Sequence, residues 1–149
     1  MQLDRPWIES RIPHRGTMCL LDQVVAWDTD RITCTASSHR NHSNPLRAHN
    51  MLSSVCGIEY AAQAMAVHGA LLANLHSARA PEAGYLTSVR EVELSVPRLD
   101  DIEGDLEIVA ERIAGDDNNV LYRFSVRDSV RVLLTGRAGV QLDATRVPP

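Results

Sequence analysis

The stretch "SSVCGIEYAAQAMAVHGALL", residues 53–72, decides the fold, because alanine, leucine and methionine dominate it and no proline interrupts it. These residue types favour a helix. Ser53 or Ser54 is suited to cap the first turn, since a serine side chain can accept a hydrogen bond from a free backbone N–H there. We therefore predict one long helix of about six turns, from Ser53 to about His76.

Three polar residues, Glu59, Gln63 and His68, interrupt the small and apolar residues of this helix. Because apolar residues cover most sides, the helix is predicted to lie in the core. Glu59 and Gln63 are four residues apart and share a face, whereas His68 points away and is interpreted as a satisfied core or interface histidine. An apolar setting favours a protonated carboxyl, which suits a general acid. The alternatives are a carboxylate stabilised by the helix dipole and water, and a packed amide.

The segments on both sides of the helix have the pattern of strands. Residues 18–38 indicate a hairpin that turns at Asp28–Asp30, and a second hairpin is predicted at Gly115–Asn119. Residues 91–96 and 120–127 alternate between apolar and polar, which is typical of strands with one buried face. A short helical turn is expected around residues 7–10.

The predicted order of elements is β-β-α-β-β-β-β. One apolar helix among six strands favours an α+β fold, in which a curved antiparallel sheet wraps around the helix. Such a sheet leaves its edges exposed, so pairing with a second copy in a homodimer is expected.

Length and composition restrict the class of protein. The 149 residues fit a single domain over 1–149, with 1–12 as an N-terminal segment and 144–149 as a loose tail. The net charge of −4 argues against general binding of nucleic acid. No membrane span is expected, since no window approaches about 18 uninterrupted apolar residues. Three cysteines without a C-x-x-C pair predict no disulfide framework and no metal site, and a cytoplasmic location is expected.

Three stretches resemble one family. They are "IPHRGTMCLLDQVV" (12–25), "GIEYAAQAMAVHG" (57–69) and "GYLTSVREVELSVPRLDDIEGDLEI" (84–108). They are similar to motifs of the hot-dog-fold 3-hydroxyacyl-[acyl-carrier-protein] dehydratases, in the branch associated with aryl-polyene-type pigment synthesis. The resemblance covers roughly residues 11–140.

The resemblance implies the elimination of water from 3-hydroxyacyl thioesters, in the synthesis of fatty acids or polyene pigments. It implies acyl carrier protein as a partner, a substrate carried on phosphopantetheine and no other cofactor. A homodimer is implied, or a heterodimer with another hot-dog dehydratase. Two other functions stay open: a hot-dog acyl thioesterase, and a non-catalytic acyl-binding partner subunit of a dehydratase.

The resemblance also suggests catalytic residues. The helix carboxylate of the family corresponds to Glu59, the proposed general acid. The catalytic histidine of mainstream members stands in a loop fourteen residues before that carboxylate, where this chain has Pro45. Candidates for the base are His14, in the Pro-His-Arg motif, and His49, ten residues before Glu59, with His42 as a weaker alternative. In the family, histidine and carboxylate come from opposite subunits.

Three residues are predicted to bind substrate. Free backbone N–H groups at a helix start can polarise a thioester carbonyl, and the family places this donor five residues before the carboxylate, at Ser54. Gly57 would let a substrate approach the backbone closely. Gln63 would orient either the carboxyl group or a substrate oxygen.

Overall fold

The structure, a computed structural model, describes residues 2–75, 85–116 and 118–141. The helices are α1 (Arg5–Glu9) and α2 (Gly57–Leu75), and the strands are β1 (Gln23–Trp27), β2 (Arg31–Ala36), β3 (Tyr85–Leu94), β4 (Leu106–Gly115), β5 (Asn119–Arg127) and β6 (Val132–Gln141). The predicted order of two strands, a long helix and four strands is confirmed. The predicted helix end at His76 and the predicted tail over 144–149 lie outside the described residues.

One antiparallel sheet contains all six strands, in the order β1-β2-β4-β5-β6-β3. Helix α2 packs against β2, β4, β5 and β6. The core lies between them, and the alternate β5 residues Val120, Tyr122, Phe124 and Val126 are at most 3% exposed. The predicted α+β fold, a sheet around one central helix, is confirmed.

Aspartates stabilise the two predicted hairpin turns. The Asp28 carboxylate accepts hydrogen bonds from the backbone N–H groups of Asp30 (2.8 Å) and Arg31 (2.9 Å). Asp116 accepts in the same way from Asn118 and Asn119, at 2.9 and 2.8 Å. An aspartate that satisfies the backbone two and three residues further on stabilises a tight turn, so both hairpins form where the sequence places them.

The starts of both helices differ from the prediction in detail. Helix α1 begins at Arg5, before the expected residue 7, because Asp4 caps it by accepting from the N–H of Trp7 at 3.2 Å. Before α2 the chain forms a 3-10 turn over Ser54–Cys56, which Ser53 caps through Val55 N–H at 3.3 Å. The regular helix therefore begins only at Gly57.

Strand β3 departs from the predicted pattern of one buried face. It lies at an edge of the sheet, and Leu94, predicted to be buried, is 47% exposed. Tyr85, Leu86 and Val89 are also exposed. Alternation in the sequence marks a strand but does not tell whether a single chain covers its apolar face.

Helix α2 is long and apolar enough to resemble a membrane span, although Glu59, Gln63 and His68 interrupt its apolar residues. The window in Ser54–Leu75 has a mean hydropathy of 1.2, and its length and composition alone would suffice to cross a membrane. However, 61% of that window is buried inside the fold. Its apolar residues are those of a core helix.

His68 is a satisfied core histidine. Its Nε2 lies 2.8 Å from the Asp28 carbonyl oxygen, which can only accept, so Nε2 donates. Its Nδ1 then accepts from the Tyr122 hydroxyl at 2.7 Å. Burial lowers the pKa of His68, which agrees with a neutral ring that links the helix to the first hairpin turn.

Gly57 is required by packing. A Cβ at this position would lie 2.6 Å from Cδ2 of Leu134, which is fully buried on β6. We expect Gly57→Ala to lower the free energy of unfolding by about 1–3 kcal/mol, because the core must shift. Gly104 is the matched control, since a Cβ there meets no atom within 4 Å. Equal denaturation midpoints for the two alanine variants would contradict this role.

Asp100 anchors the loop that precedes α2. Its carboxylate accepts from Leu52 N–H and from Arg98 Nε, both at 3.0 Å, and its side chain is 9% exposed. The hydrogen bonds from Arg98 hold the pKa of Asp100 well below its usual range. A lowered folded-state pKa contributes stability above the unfolded value of about 3.9, and that stability is lost as the pH falls below it.

We therefore expect Asp100→Asn to lower the free energy of unfolding by about 1–3 kcal/mol at pH 7. The difference from wild type should shrink as the pH falls below about 4. Asp101→Asn is the control, because Asp101 is 62% exposed and lies 4.0 Å from Arg98, so its loss should cost less than about 1 kcal/mol. Denaturant titrations at several pH values measure both. A deficit for Asp100→Asn that does not vary with pH would contradict the electrostatic role.

Candidate active site

A histidine and the helix carboxylate meet within one chain. His14 Nε2 lies 3.2 Å from Glu59 Oε1. His14 follows α1 in the segment that leads into β1, and Glu59 stands in the first turn of α2. The family resemblance implied that the two residues come from opposite subunits. For His14, the fold brings both groups together without a second chain.

Gln63 orients Glu59. Its Oε1 accepts from the N–H of Leu20 at 2.9 Å, and its Nε2 donates to the Met18 carbonyl oxygen at 2.8 Å. Because one partner is a backbone donor and the other a backbone acceptor, they identify the oxygen and the nitrogen of the side-chain amide. The same Nε2 lies 3.2 Å from Glu59 Oε1. Gln63 is 1% exposed, so the orientation of the carboxyl group is set by a rigid, buried amide.

The segment that carries His14 is held by an arginine. The Arg15 guanidinium donates to the carbonyl oxygens of Glu9 and Ile12, the second at 2.5 Å, and Pro13 restricts the backbone just before His14. His14 Nδ1 is buried and has no hydrogen-bond partner among the described residues. Among these residues, the polar contact of the ring is therefore the one between Nε2 and Glu59.

A cavity of about 130 Å³ extends from the pair. Its walls are the segment before β1, one face of α2 and the ends of β3 and β6, and its lining residues are Arg11, Ile12, Pro13, His14, Glu59, Ala62, Ala66, Ala70, Tyr85, Leu86 and Val140. Alanines at four-residue spacing leave space along the helix, because these positions lie above one another on one face. The cavity thus has a polar head at His14 and Glu59 and an apolar body.

Glu59 is less enclosed than predicted. Its side chain is 37% exposed and that of His14 is 26% exposed. The sequence suggested a carboxyl surrounded by apolar side chains, but the helix face of Glu59 borders the cavity instead of the sheet. Its Oε1 has two polar neighbours, while Oε2 accepts from none of the described residues. Oε2 is therefore the oxygen open to a bound molecule.

The predicted carbonyl-binding N–H groups at the helix start are not free, so this expectation is wrong. Ser54 N–H donates to the Pro97 carbonyl oxygen at 3.2 Å, because a bridge to the segment before β4 holds the chain here. The next three N–H groups, of Val55, Cys56 and Gly57, all have acceptors within the 3-10 turn. Neither Ser54 nor Gly57 lines the cavity, and Gly57 is explained by its contact with Leu134.

The structure does not bring His49 to Glu59 within the chain. His49 and Asn50 have positive φ angles of 53° and 62° and form the tip of a tight turn between Ala48 and Met51. His49 is exposed and does not line the cavity. His42 is exposed as well. Of the three histidines weighed as the base, His14 alone contacts Glu59.

The described residues contain no group of three or more His, Cys, Asp or Glu side chains that could hold a metal ion. The far walls of the cavity could not be predicted from the sequence. Tyr85, Leu86 and Val140 come from strand ends distant in sequence, so no local pattern marks them. Ala62, Ala66 and Ala70 continue the face of Glu59 at helical spacing, and that signal was available in the sequence.

The fold defines the chain as a hot-dog protein, and its candidate site brings a helix carboxylate, a buried amide and a histidine together at the head of a cavity. The chain belongs to the ApeP-like family, described as the ApeP dehydratase, which it matches over residues 6–143. The resemblance to hot-dog dehydratases of the aryl-polyene branch is confirmed.

Solved structures have the same fold. The dehydratase heterocomplex ApeI:P from Xenorhabdus doucetiae matches with a TM-score of 0.82 and 23% identity, over 93% of this chain and 92% of that chain. AziG from S. sahachiroi matches at 0.58 and 15% identity, over 80% and 89%. A mutant of thioesterase PA1618 from Pseudomonas aeruginosa matches at 0.57 and 12% identity, over 80% and 78%. No curated protein sequence matches the chain.

Proposed function

We propose that this chain itself catalyses the dehydration of 3-hydroxyacyl thioesters carried on the phosphopantetheine arm of an acyl carrier protein. It acts as a single-domain, cytoplasmic enzyme without a further cofactor. One observation carries the proposal. A histidine and a carboxyl group, 3.2 Å apart, stand at the head of an apolar cavity, where the acyl chain would follow the alanine face of α2.

The two groups divide the chemistry. His14 Nε2 takes the proton from C2 of the substrate, and the electron pair of the broken C2–H bond forms the C2=C3 double bond. The C3–O bond breaks, and Glu59 gives its proton to the departing hydroxyl, which leaves as water. The substrate lies between the two side chains at this stage, so their direct contact must open by a small rotation.

Direct contact between His14 and Glu59 also restores their starting protonation states after each turnover. After the reaction His14 is protonated and Glu59 is ionised. When product leaves, the two groups return to hydrogen-bond distance, and the proton passes from His14 to Glu59. Gln63 keeps the carboxyl in place throughout, because its own amide is fixed by the backbone of Met18 and Leu20.

A second chain would complete the enclosure of the cavity. Tyr85 and Leu86 are 54% and 41% exposed, and both line the cavity and lie on the edge strand β3. A chain that pairs along β3 would cover them. We infer either a homodimer or a heterodimer with another hot-dog dehydratase chain. The structure matched at a TM-score of 0.82 is that of a heterocomplex, which is a precedent for the second assembly.

Two alternative functions predict different results. In an acyl thioesterase the Glu59 carboxylate would activate water and release free thiol. In a non-catalytic partner subunit, which the absent loop histidine favours, the chain alone would be inactive. The contact of His14 with Glu59 supports catalysis by this chain, because both groups are present on it.

The test assays hydration of a crotonyl thioester and release of thiol from a butyryl thioester, with the chain alone and with a mainstream hot-dog dehydratase chain added. We expect hydration without thiol release. Activity of the mixture must depend on Glu59 of this chain. Thiol release alone, or a mixture that is equally active with Glu59→Gln, would contradict the proposal.

A further inference from the structure

A row of polar groups connects Gln63 to the loop that precedes α2. It contains Ser38, Asn44 and Tyr60. Tyr60 is fully buried and Asn44 is 5% exposed. Buried polar groups of this kind are costly unless each finds a partner. Here each has one, and the partners lead in one direction, toward the active-site carboxyl.

The direction of each hydrogen bond follows from what its atoms can do. Asn44 Oδ1 accepts from Leu46 N–H at 2.9 Å, so Asn44 Nδ2 is the donor to the Tyr60 hydroxyl at 3.1 Å. Ser38 Oγ lies 2.8 Å from the Leu20 carbonyl oxygen, which can only accept. Ser38 therefore uses its one proton there, and Tyr60 donates to Ser38 Oγ at 2.7 Å.

Leu20 links this row of polar groups to the active site. Its carbonyl oxygen is held by Ser38, and its N–H donates to Gln63 Oε1 at 2.9 Å. Gln63 Nε2 then lies 3.2 Å from Glu59 Oε1. All of the donors point toward Glu59, and hydrogen bonds aligned in this way polarise one another. The Leu20 backbone is thus held at its carbonyl oxygen by Ser38 and at its N–H by Gln63, so a shift of Ser38 would move the Gln63 amide.

We infer that Tyr60, with Ser38 and Asn44, is a positioning residue for the Glu59 carboxyl, acting through Leu20 and Gln63. Tyr60 does not line the cavity, so it does not touch substrate. Its hydroxyl holds Ser38, which fixes the position of the Leu20 backbone. Leu20 in turn fixes the position of the Gln63 amide, and that amide orients the Glu59 carboxyl group. The inference rests on the proposed function for its effect on turnover, but not for its effect on Gln63.

Tyr122 provides a matched control. It is 1% exposed, and its hydroxyl is hydrogen-bonded to His68 at 2.7 Å, so Tyr122→Phe removes an equivalent buried group from the same core. His68, however, stands nine residues beyond Glu59 on α2 and is not part of the row. A merely structural role for Tyr60 would make the two phenylalanine variants alike.

The experiment compares Tyr60→Phe with Tyr122→Phe in the full chain. We expect Tyr60→Phe to lower kcat about tenfold with KM unchanged, because a misplaced acid weakens the chemical step and not binding. Tyr122→Phe should stay within about twofold of wild type. Ser38→Ala should behave like Tyr60→Phe, and Ser38→Thr, which keeps the hydroxyl, should restore turnover. In a Gln63→Ala background Tyr60→Phe should have no further effect.

A second readout does not need activity. The side-chain amide ¹H–¹⁵N resonances of Gln63 should move in Tyr60→Phe and stay in place in Tyr122→Phe. Unmoved Gln63 resonances in Tyr60→Phe, or equal losses of kcat in the two variants, would overturn the inference. If wild type has no dehydratase activity, the proposed function fails, while the Gln63 resonances still decide whether Tyr60 positions this amide.

Discussion

Glu59→Gln is expected to abolish turnover, with kcat lowered by about 10³-fold. The amide has nearly the shape of the carboxyl group, so it still fits between His14 and Gln63, but it cannot release the proton that the departing hydroxyl needs. Because the helix and its packing are unchanged, the circular dichroism spectrum and oligomer size should match those of wild type.

Glu103→Gln is the control for this variant. Glu103 is exposed and does not line the cavity, so this substitution should leave kcat unchanged. Assay of crotonyl-thioester hydration with both variants gives the comparison. If Glu59→Gln hydrates the substrate at the wild-type rate, Glu59 is not the acid.

His14→Asn is expected to lower kcat by about 10²–10³-fold, since it removes the base but retains a polar side chain of similar size. His49→Asn and His42→Asn provide two controls, because both side chains are exposed and neither lines the cavity. Steady-state hydration rates for the three variants identify the base directly. A large loss in His49→Asn with full activity in His14→Asn would overturn the assignment.

The fold was predictable from the sequence because its signals are local. The Ala-rich helix, the aspartate turns at Asp28 and Asp116 and the alternation in β5 each depend on neighbouring residues. What the sequence did not reveal depends on tertiary position. Leu94 reads as a buried strand residue, yet it lies on an edge strand that no part of the described chain covers. The donors at Ser54 and its neighbours look free until the contact with Pro97 is known.

The site was predictable in part for the same reason. Glu59 and Gln63 share a helix face by spacing alone, and the Pro-His-Arg motif pointed to His14. No local pattern places His14 beside Glu59, since 45 residues separate them. Tyr60 reads as an ordinary aromatic core residue. The hydrogen bond from its hydroxyl to Ser38 shows that this hydroxyl belongs to the row that ends at the active-site carboxyl.

The most direct test asks whether His14 and Glu59 act within one chain. Chains with His14→Asn and chains with Glu59→Gln, carrying different affinity tags, are co-expressed, and the mixed dimer is purified through both tags. A pair held on one chain predicts background hydration for this dimer, because neither chain has both groups. A site built from opposite subunits would leave one of two sites intact and give about half of the wild-type activity, and that result would contradict the single-chain site.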